Sequence, residues 1–234
     1  LKGDFGRSLF NRIQARGVVL ERIPATLQLT AGAFIFALIT GIPLGVLSAV
    51  KRGSVWDYAG RTFALYGQAL PAFWLGIMLI LIFAVHLEWL PTSKRGDWTH
   101  YVLPCVTLGW GAAAGFVRLV RSAMLEVLDS EFVKFARAKG VGSQKVIWKH
   151  AFRNALIAPM TYAGVLLAAF LTGAVVTEQV FAWPGMGRLA IQAVFNNDFP
   201  VMTSVVMIFA GFFVTANLIV DSLYAWVDPR VRLT

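Results

Sequence analysis

One stretch of the sequence, residues 129–159, concentrates the side chains that could do chemistry. Its basic and titratable members are Lys134, Arg137, Lys139, Lys145, Lys149, His150 and Arg153. The rest of the chain consists mostly of long apolar runs, so this stretch must meet water. We interpret it as a cytoplasmic loop that docks on a partner, with cations that can pair with acidic side chains or with lipid phosphates.

The local signals in this stretch predict two short helices with a hinge between them. Asp129 or Ser130 can cap the first helix, and Gly140 can end it. Ser143 can then cap a second helix. The hinge is therefore predicted at residues 140–142.

The second helix is predicted to have two different faces. Lys145, Lys149 and Arg153 recur every four residues and form one basic row. The apolar face holds Trp148, Ala151, Phe152 and Ala155. A helix of this kind suits a membrane–water boundary or a groove on a partner, and the residues alone leave both alternatives open.

The sequence lacks the patterns of enzyme sites and of bound metals. His86, His100 and His150 are far apart and show no zinc-ligand spacing. The single cysteine, Cys105, excludes an intrachain disulfide. No phosphate-binding loop of the Gly-x-x-x-x-Gly-Lys-Ser/Thr type occurs, so any ATP must be bound by another subunit. The letters of residues 185–190 match a dinucleotide-binding turn, but they stand between two apolar runs rather than after a β-strand. We therefore predict no catalysis, cofactor or metal on this chain.

The elements that must position the basic stretch are membrane helices. The chain has 234 residues, a mean hydropathy of +0.68, 58% hydrophobic residues and 14% charged residues. These values exclude a soluble domain of this size and predict an integral membrane protein. Five uncharged runs of at least 20 residues are each long enough to cross a hydrocarbon core of about 30 Å. They are bracketed by Arg22 and Lys51, Arg61 and Glu88, Asp97 and Arg118, Arg153 and Glu178, and Asp198 and Asp221.

The charges between the runs determine the predicted orientation. The net charge of +9 arises in loops, which membrane topology explains better than nucleic-acid binding does. The loops at 51–61 and 118–153 are the basic ones, so they are placed inside together with the C-terminus. Residues 1–24 predict a short interfacial helix. Counting membrane crossings back from the inside loops puts residues 1–24 outside, and the charge rule does not explain a basic segment there.

Several motifs in a fixed order resemble one family. Residues 136–140 (ARAKG), followed by 150–156 (HAFRNAL) and Pro159, resemble the coupling-loop signature of ABC importer membrane subunits. More specifically, these motifs resemble the branch of the family that imports dipeptides, oligopeptides, nickel complexes and related solutes. Further matches are GDFGRSL at 3–9, PAFW at 71–74, FAWPGMG at 181–187 and VDPR at 227–230, so nearly the whole chain is covered. The resemblance implies an all-α, polytopic transmembrane bundle with the type I ABC importer permease fold, with five spans present and the family's first span missing.

The resemblance also implies partners and a cellular location. They are a second permease subunit, identical or not, two cytoplasmic ATPase subunits that hold ATP and magnesium, and an extracytoplasmic solute-binding protein. The location is the plasma membrane of a bacterium or archaeon, with the coupling loop and C-terminus in the cytoplasm. The solute would be a peptide, a nickel chelate, glutathione or a related molecule. The alternative is an ion-coupled carrier or channel that works without ATPases.

The resemblance assigns a coupling role to particular residues. They are Ala136, Arg137, Ala138, Lys139, Gly140, Lys145, His150, Arg153, Asn154 and Pro159. Ala136 and Gly140 are the small positions that would let the loop seat closely on an ATPase. Lys134 and Phe135 stand where broader ABC importers often carry an acidic residue and alanine, which places the chain in the peptide and nickel branch.

Few polar groups within the runs could line a translocation path. The candidates are Gln68, Thr161, Thr172, Thr177 and Asn217. Each is equally suited to bond a neighbouring helix. Glu178 and Asp221 stand at the ends of runs. Since a proton relay needs an ionisable group deep in the membrane, this distribution disfavours the ion-coupled alternative.

The segment 181–200 lies on the outer side between the last two runs. Its candidate residues are Trp183, Pro184, Gly185 and Asp198. The segment predicts either a loop that caps the translocation path or a packed connector, and the residues leave both open.

Two further patterns concern packing and organisation. Small residues at Gly41 and Gly45, Gly111 and Gly115, and Ala169 and Gly173 predict close helix contacts. Prolines at 43, 71, 104 and 159 should kink or start helices. We divide the chain into an N-terminal interfacial segment at 1–24, a transmembrane permease domain at 25–226 and a cytoplasmic tail at 227–234. The permease domain contains the coupling loop at 129–156.

Overall fold

The computed structural model describes residues 5–10 and 12–227, and for residues 168, 171–173 and 219–227 it describes the backbone alone. This part of the chain is helical, with one isolated β-bridge between Arg7 and Gln14. The predicted tail motif at 228–230 and the first residues of the 3–9 motif lie outside the described residues. The helices are α1 (Ala15–Leu20), α2 (Ile23–Val50), α3 (Val55–Ala69), α4 (Ala72–Leu79), α5 (Thr99–Leu128), α6 (Glu131–Ala138), α7 (Ser143–Lys145), α8 (Arg153–Ala155), α9 (Ile157–Gly173), α10 (Val175–Val180), α11 (Met186–Phe195) and α12 (Phe199–Val227). Two π-helical stretches, Ile80–His86 and Val146–Phe152, follow α4 and α7.

Three described helical stretches are long and apolar enough to cross a membrane. They are Ala15–Val50, Thr99–Leu128 and Phe199–Leu218. A fourth crossing results if α3 and α4 together form one span. The run predicted at 153–178 forms the 17-residue helix α9 and the short helix α10. The predicted count of five spans therefore stays a prediction.

The run between Arg61 and Glu88 is not one continuous helix. α3 ends at Ala69, Leu70 is extended with ψ of 125°, and α4 begins at Ala72. Pro71 lacks a backbone N–H and disfavours the helical conformation at the preceding residue, so the first helix cannot continue through it. The prediction that Pro71 kinks or starts a helix is confirmed, because the helix breaks at this residue and α4 begins directly after it.

The chain folds into two compact units. The first comprises Leu1–Phe34, Ala72–Leu108 and Gly164–Thr234, and the second comprises Ile35–Pro71 and Gly109–Ala163. In the first unit, one apolar cluster joins α1, α11 and α12, and another gathers around the fully buried Trp183. In the second unit, α2, α5 and the helical residues before α9 share an apolar core.

Small residues bring α2 and α5 into direct contact in the second unit. A Cβ atom on Gly41 would lie 2.7 Å from the Ala113 carbonyl oxygen, and one on Gly45 would lie 3.0 Å from that of Val117. A Cβ on Gly115 would overlap the Tyr162 hydroxyl of α9. The predicted close helix contacts are confirmed at these positions, whereas the surroundings of Gly173 lie outside the described side chains.

Candidate functional site

The first half of the basic stretch forms α6, as predicted. Ser130 occupies the N-cap position, but its hydroxyl donates to the Val127 carbonyl oxygen at 2.5 Å rather than to α6. Val133 is fully buried and anchors the helix. The other described residues of α6 are exposed or half-buried, so the helix lies on the surface of its unit.

A Schellman motif ends α6 and explains the spacing of Ala136 and Gly140. The Val141 amide donates to the Ala136 carbonyl oxygen at 3.2 Å, and the Gly140 amide donates to that of Arg137 at 2.9 Å. Gly140 has a φ of +75°, the left-handed conformation that glycine adopts without strain. The predicted end of the helix at Gly140 is confirmed, and the backbone conformation there favours glycine.

The second half of the stretch begins one residue earlier than predicted. Gly142 is the N-cap residue and Ser143 is the first helical residue, so the serine does not cap the helix. The helix continues through α7, a π-helical stretch at Val146–Phe152, and α8. A π-helical turn has one more residue than an α-helical turn and therefore changes which side chains share a face.

The π-helical stretch determines how this second half is anchored. The buried residues are Val146, Ala151 and Ala155, with a first spacing of five residues rather than four. Ala151 and Ala155 pack in the core formed by α2 and α5, where the nearest buried residues are Val46, Ala49, Val120 and Met124. Trp148, predicted on the apolar face, is 49% exposed. Its ring packs edge-on against Phe152 instead, with ring centroids 5.3 Å apart.

The helix α6 presents an apolar surface to solvent. Phe132 is 47% exposed and Phe135 is 62% exposed. They line a shallow, open groove of about 510 Å³ together with Glu131, Lys134 and Ala138. We call this surface the α6 groove. Two phenylalanines side by side in solvent are typical of a protein–protein contact surface.

The cations of residues 129–156 mostly lack acidic partners among the described residues. Lys134 pairs with Glu131 at 2.8 Å, and Lys139 lies 4.5 Å from the centroid of the Phe135 ring. The predicted coupling residues Arg137, Lys145 and Arg153 are exposed, and among the described residues none of them has an acidic partner. These charges are available to a partner.

Three predicted coupling residues shape the backbone. Asn154 donates through its side-chain amide to the His150 carbonyl oxygen at 2.6 Å. His150 is half-buried, and Pro159 is buried at the third position of α9. A proline in the first turn of a helix costs no hydrogen bond, because the amide there would be unpaired.

A buried charge network, which the sequence analysis missed, lies next to this loop. Asp57 of α3 is 1% exposed, and Arg121 of α5 holds it with two hydrogen bonds of 2.7 and 3.2 Å. The same carboxylate accepts from Arg61 at 3.2 Å, from Ser48 of α2 at 2.8 Å and from the Gly53 amide at 2.9 Å. The network therefore joins α2, α3 and α5 beside the core that holds Ala151. The sequence feature that could have indicated this network is Asp57 followed four residues later by Arg61 in a short basic loop.

A second buried carboxylate organises the outer motif. Glu178 is fully buried and accepts from the Thr26 hydroxyl at 2.7 Å and from the Arg188 amide at 3.0 Å. A Cβ atom on Gly185 would overlap this carboxylate, and one on Gly187 would lie 3.1 Å from it. The glycines that resemble a nucleotide-binding turn therefore make room for an internal carboxylate at the N-terminus of α11.

The first residues of the segment 181–200 pack within the first unit. Trp183 is fully buried, its indole donates to the Ala25 carbonyl oxygen at 2.9 Å, and its ring packs edge-on against Tyr101. The neighbouring Pro184 is half-buried, and Gly185 is buried. The structure thus places Trp183 in the interior of the first unit, and both predicted roles of the segment stay predictions.

Asp198 ties the N-terminal segment to the start of α12. It is 3% exposed and accepts hydrogen bonds from the Ser8 hydroxyl and from the amides of Leu9, at 3.2 Å, and Phe10, at 3.4 Å. Burial opposes ionisation, but the hydrogen bonds from Ser8, Leu9 and Phe10 outweigh it and hold the pKa of Asp198 below its ordinary value. The predicted helix at 1–24 is thus reduced to α1, after a turn that this carboxylate anchors.

The candidate path residues occupy different environments. Gln68 is exposed and accepts from Arg118 at 3.0 Å. Thr161 and Asn217 donate to carbonyl oxygens four residues earlier in their own helices. Thr177 is 1% exposed, so its hydroxyl does not face a path in this conformation. The side chain of Thr172 lies outside the described residues.

The chain belongs to the family described as "Binding-protein-dependent transport system inner membrane component", whose sequence model matches residues 41–233. It is therefore a permease subunit of an importer, as its motifs predicted. Among its relatives is the "Glutathione transport system permease protein GsiC" of Salmonella choleraesuis (strain SC-B67), 41% identical over 99% of this chain and 76% of the relative. The protein of the same name in Escherichia coli (strain K12) is 40% identical over the same shares.

Solved structures of ABC importers have the same fold. The MetNI methionine ABC transporter in an inward-facing conformation matches with a TM-score of 0.76 and 21% identity, over 91% of this chain and 97% of that chain. An amino acid ABC transporter with histidines matches with a TM-score of 0.70 and 13% identity, over 89% of this chain and 93% of that chain. The predicted all-α permease fold is confirmed.

Proposed function

We propose that the chain is one of two membrane subunits of an ATP-driven importer and that residues 129–156 receive the movement of a cytoplasmic ATPase. The observation that carries this proposal is a division within the loop. α6 exposes Phe132 and Phe135, whereas Ala151 and Ala155 are buried against α2 and α5. One half of the loop is free to meet a partner, and the other half is attached to the membrane helices.

The chemistry of the α6 groove supports an ATPase subunit as that partner. Its apolar floor and surrounding cations call for a complementary surface with an apolar patch bordered by acids. ATP and magnesium would be held by the ATPases. Such a partner is expected on the cytoplasmic side, where the charge rule places the loop and the C-terminus of a bacterial or archaeal plasma-membrane protein.

A displacement of α6 would reach the membrane helices by a short route. α6 packs on the π-helical stretch through the buried Val133, and Ala151 in that stretch lies in the core with α2 and α5. Because packed interiors have low compressibility, the ends of these helices move when the loop moves. ATP binding would close the ATPase pair and switch the path from inward-facing to outward-facing.

The solute is proposed to be glutathione, a peptide or a related small molecule. This class is suggested by the names of the relatives at 40–41% identity. An extracytoplasmic binding protein would deliver the solute, and a second permease subunit would complete the path. Gln68, Thr161, Thr172 and Asn217 remain candidates for contact with the solute along it.

The test combines capture of partners with transport. The chain is extracted from its native membrane, co-purifying ATPase is quantified, and glutathione uptake is measured in proteoliposomes with the binding protein added. We expect Gly140→Leu to abolish ATP-driven uptake, because leucine strains the left-handed backbone and adds bulk beside the α6 groove. The variant should still insert into the membrane, since a Cβ at Gly140 meets nothing within 4 Å.

Two matched variants distinguish the effect of side-chain bulk on uptake from the effect of backbone conformation. Gly142 lies in the same turn with an ordinary φ of −58° and equally open space, so Gly142→Leu should retain most uptake. Asparagine tolerates a positive φ, so Gly140→Asn should retain more uptake than Gly140→Leu. Normal uptake by Gly140→Leu would refute the coupling role. Capture of no ATPase by the native chain would favour an ATP-independent carrier.

A further inference from the structure

Arg118 is an exposed cation on the long apolar helix α5. Its guanidinium donates through Nη1 to the Gln68 side-chain oxygen at 3.0 Å, and no acidic partner for it occurs among the described residues. Arg118 lies about 10 residues before α5 ends, roughly 15 Å along the helix. Arg118 ends the uncharged run that follows Asp97, and an unneutralised guanidinium at this position faces water or another polar group rather than lipid tails.

Arg121, one turn further along α5, shows how the same helix holds a structural arginine. Arg121 makes two hydrogen bonds to the buried Asp57 carboxylate, which neutralises its charge. Among the described residues, the Arg118 guanidinium has only the neutral amide of Gln68 as a hydrogen-bond partner. The guanidinium of Arg118 therefore keeps donors and a full charge available for a ligand.

Aromatic residues lie on the same two helices as this pair, Phe63 on α3 with Gln68 and Trp110 on α5 with Arg118. Trp110 of α5 packs on Phe63 with ring centroids 4.7 Å apart, and its buried indole nitrogen has no hydrogen-bond partner among the described residues. That nitrogen lies 3.4 Å from a Cβ built on Gly67, the residue before Gln68. The hydroxyl of Tyr162 lies against Gly115, one turn before Arg118. Unpaired donors and apolar rings side by side are typical of small-molecule sites.

We propose that Arg118 and Gln68 form a subsite that receives a carboxylate of the transported solute. A carboxylate can accept two parallel hydrogen bonds from one guanidinium, and the Gln68 amide nitrogen supplies a further donor. This inference rests on the proposed importer function and names the charged group that its path recognises. The same carboxylate chemistry could come from an acidic side chain of the second permease subunit, and the test distinguishes the two sources.

The experiment measures uptake by the full complex of permeases, ATPases and binding protein in proteoliposomes. The probes are glutathione and glutathione diethyl ester, in which both carboxylates are blocked, each supplied at saturating concentration for the binding protein. We expect the native complex to carry the acid faster than the ester. Arg118→Met should reduce uptake of the acid by about tenfold and leave uptake of the ester nearly unchanged, because only the acid uses the guanidinium. Arg118→Lys should restore part of the preference.

Arg121→Met is the matched control, because it removes a neighbouring guanidinium that is paired with the Asp57 carboxylate. This variant should lower the uptake of both probes alike and reduce the melting temperature. The proposal is overturned if the native complex carries acid and ester equally, or carries no acid. It is also overturned if Arg118→Met releases the second permease subunit, which assigns the carboxylate to that subunit. ATPase capture and its loss in Gly140→Leu report the importer function independently of all these results.

Discussion

At the scale of single residues, two buried carboxylates join distant segments of the first unit. Glu178 is enclosed by the Thr26 hydroxyl, the Arg188 amide and two glycines that leave room for its oxygens. Asp198 collects donors from three residues near the N-terminus. Each carboxylate joins segments that are far apart in sequence, so each should respond to a small local change.

Gly185→Ala should destabilise the protein. The added methyl group would overlap the buried Glu178 carboxylate, and overpacking of this kind costs about 1–3 kcal/mol. The measurement is thermal unfolding of the purified protein in detergent. Gly17→Ala is the control, since a Cβ at Gly17 in α1 meets nothing within 4 Å. Equal melting temperatures for the two variants would contradict the proposed role of Gly185.

Acid should release the N-terminal segment from Asp198. The folded state lowers the pKa of this carboxyl, so its stabilising contribution is complete above the unfolded pKa and is lost as the pH falls through the folded pKa. We expect the amides of Leu9 and Phe10 to lose protection from hydrogen exchange, corrected for intrinsic rates, below about pH 4.

The variant Asp198→Ala should produce the same loss of protection at neutral pH and remove its pH dependence. Asp97 provides a comparison, because hydrogen bonds from Thr99 and His100 also lower its pKa while it lies exposed in a separate loop. Asp97→Ala should leave residues 9 and 10 protected. Protection that persists in Asp198→Ala would show that other contacts hold the segment.

At the scale of helices, the Asp57 network is expected to couple the loop to the membrane helices. Asp57→Ala leaves Arg121 unpaired beside α2 and α3, and loss of one partner of a buried ion pair costs about 3 kcal/mol. We predict less glutathione transported per ATP hydrolysed, because α5 is no longer fastened to α3 where the loop is anchored. Asp57→Glu, which restores the charge, should recover part of this ratio.

The control for the charge network is an exposed ion pair in the same unit. Glu131→Ala removes the contact with Lys134 on α6, where the glutamate side chain is 89% exposed and the pair contributes at most about 1 kcal/mol. Its stability should be near native. A native transport ratio in Asp57→Ala would limit the network to a purely structural role.

Local signals predicted some elements well and missed others for physical reasons. The end of α6 at Gly140 follows from glycine's conformational freedom, which acts within one turn. The π-helical stretch depends on how Ala151 and Ala155 meet α2 and α5, and tertiary packing of this kind has no marker in the local pattern. The break at Leu70 and Pro71 was recognisable as a helix start, but charge brackets alone made the run look continuous.

At the scale of the whole molecule, composition and charge placement predicted a helical membrane protein, and the ordered motifs predicted its family. The functional pairings were harder to foresee. Asp57 and Arg121 are 64 residues apart, and Gln68 and Arg118 are 50 residues apart. Each of these residues taken alone is an ordinary loop or span-end residue, and only the folded chain distinguishes the neutralised arginine from the available one.

The separation of Asp57 from Arg121 also has a consequence for biosynthesis. A ribosome that adds about 5–20 residues per second completes Arg121 roughly 3–13 s after Asp57. During that interval the Asp57 carboxylate lacks its main counter-charge. Arg61, one turn along the same helix, already lies 3.2 Å from the carboxylate in the finished protein. It can neutralise Asp57 as soon as α3 forms, so the nascent helix carries its own temporary partner until α5 arrives.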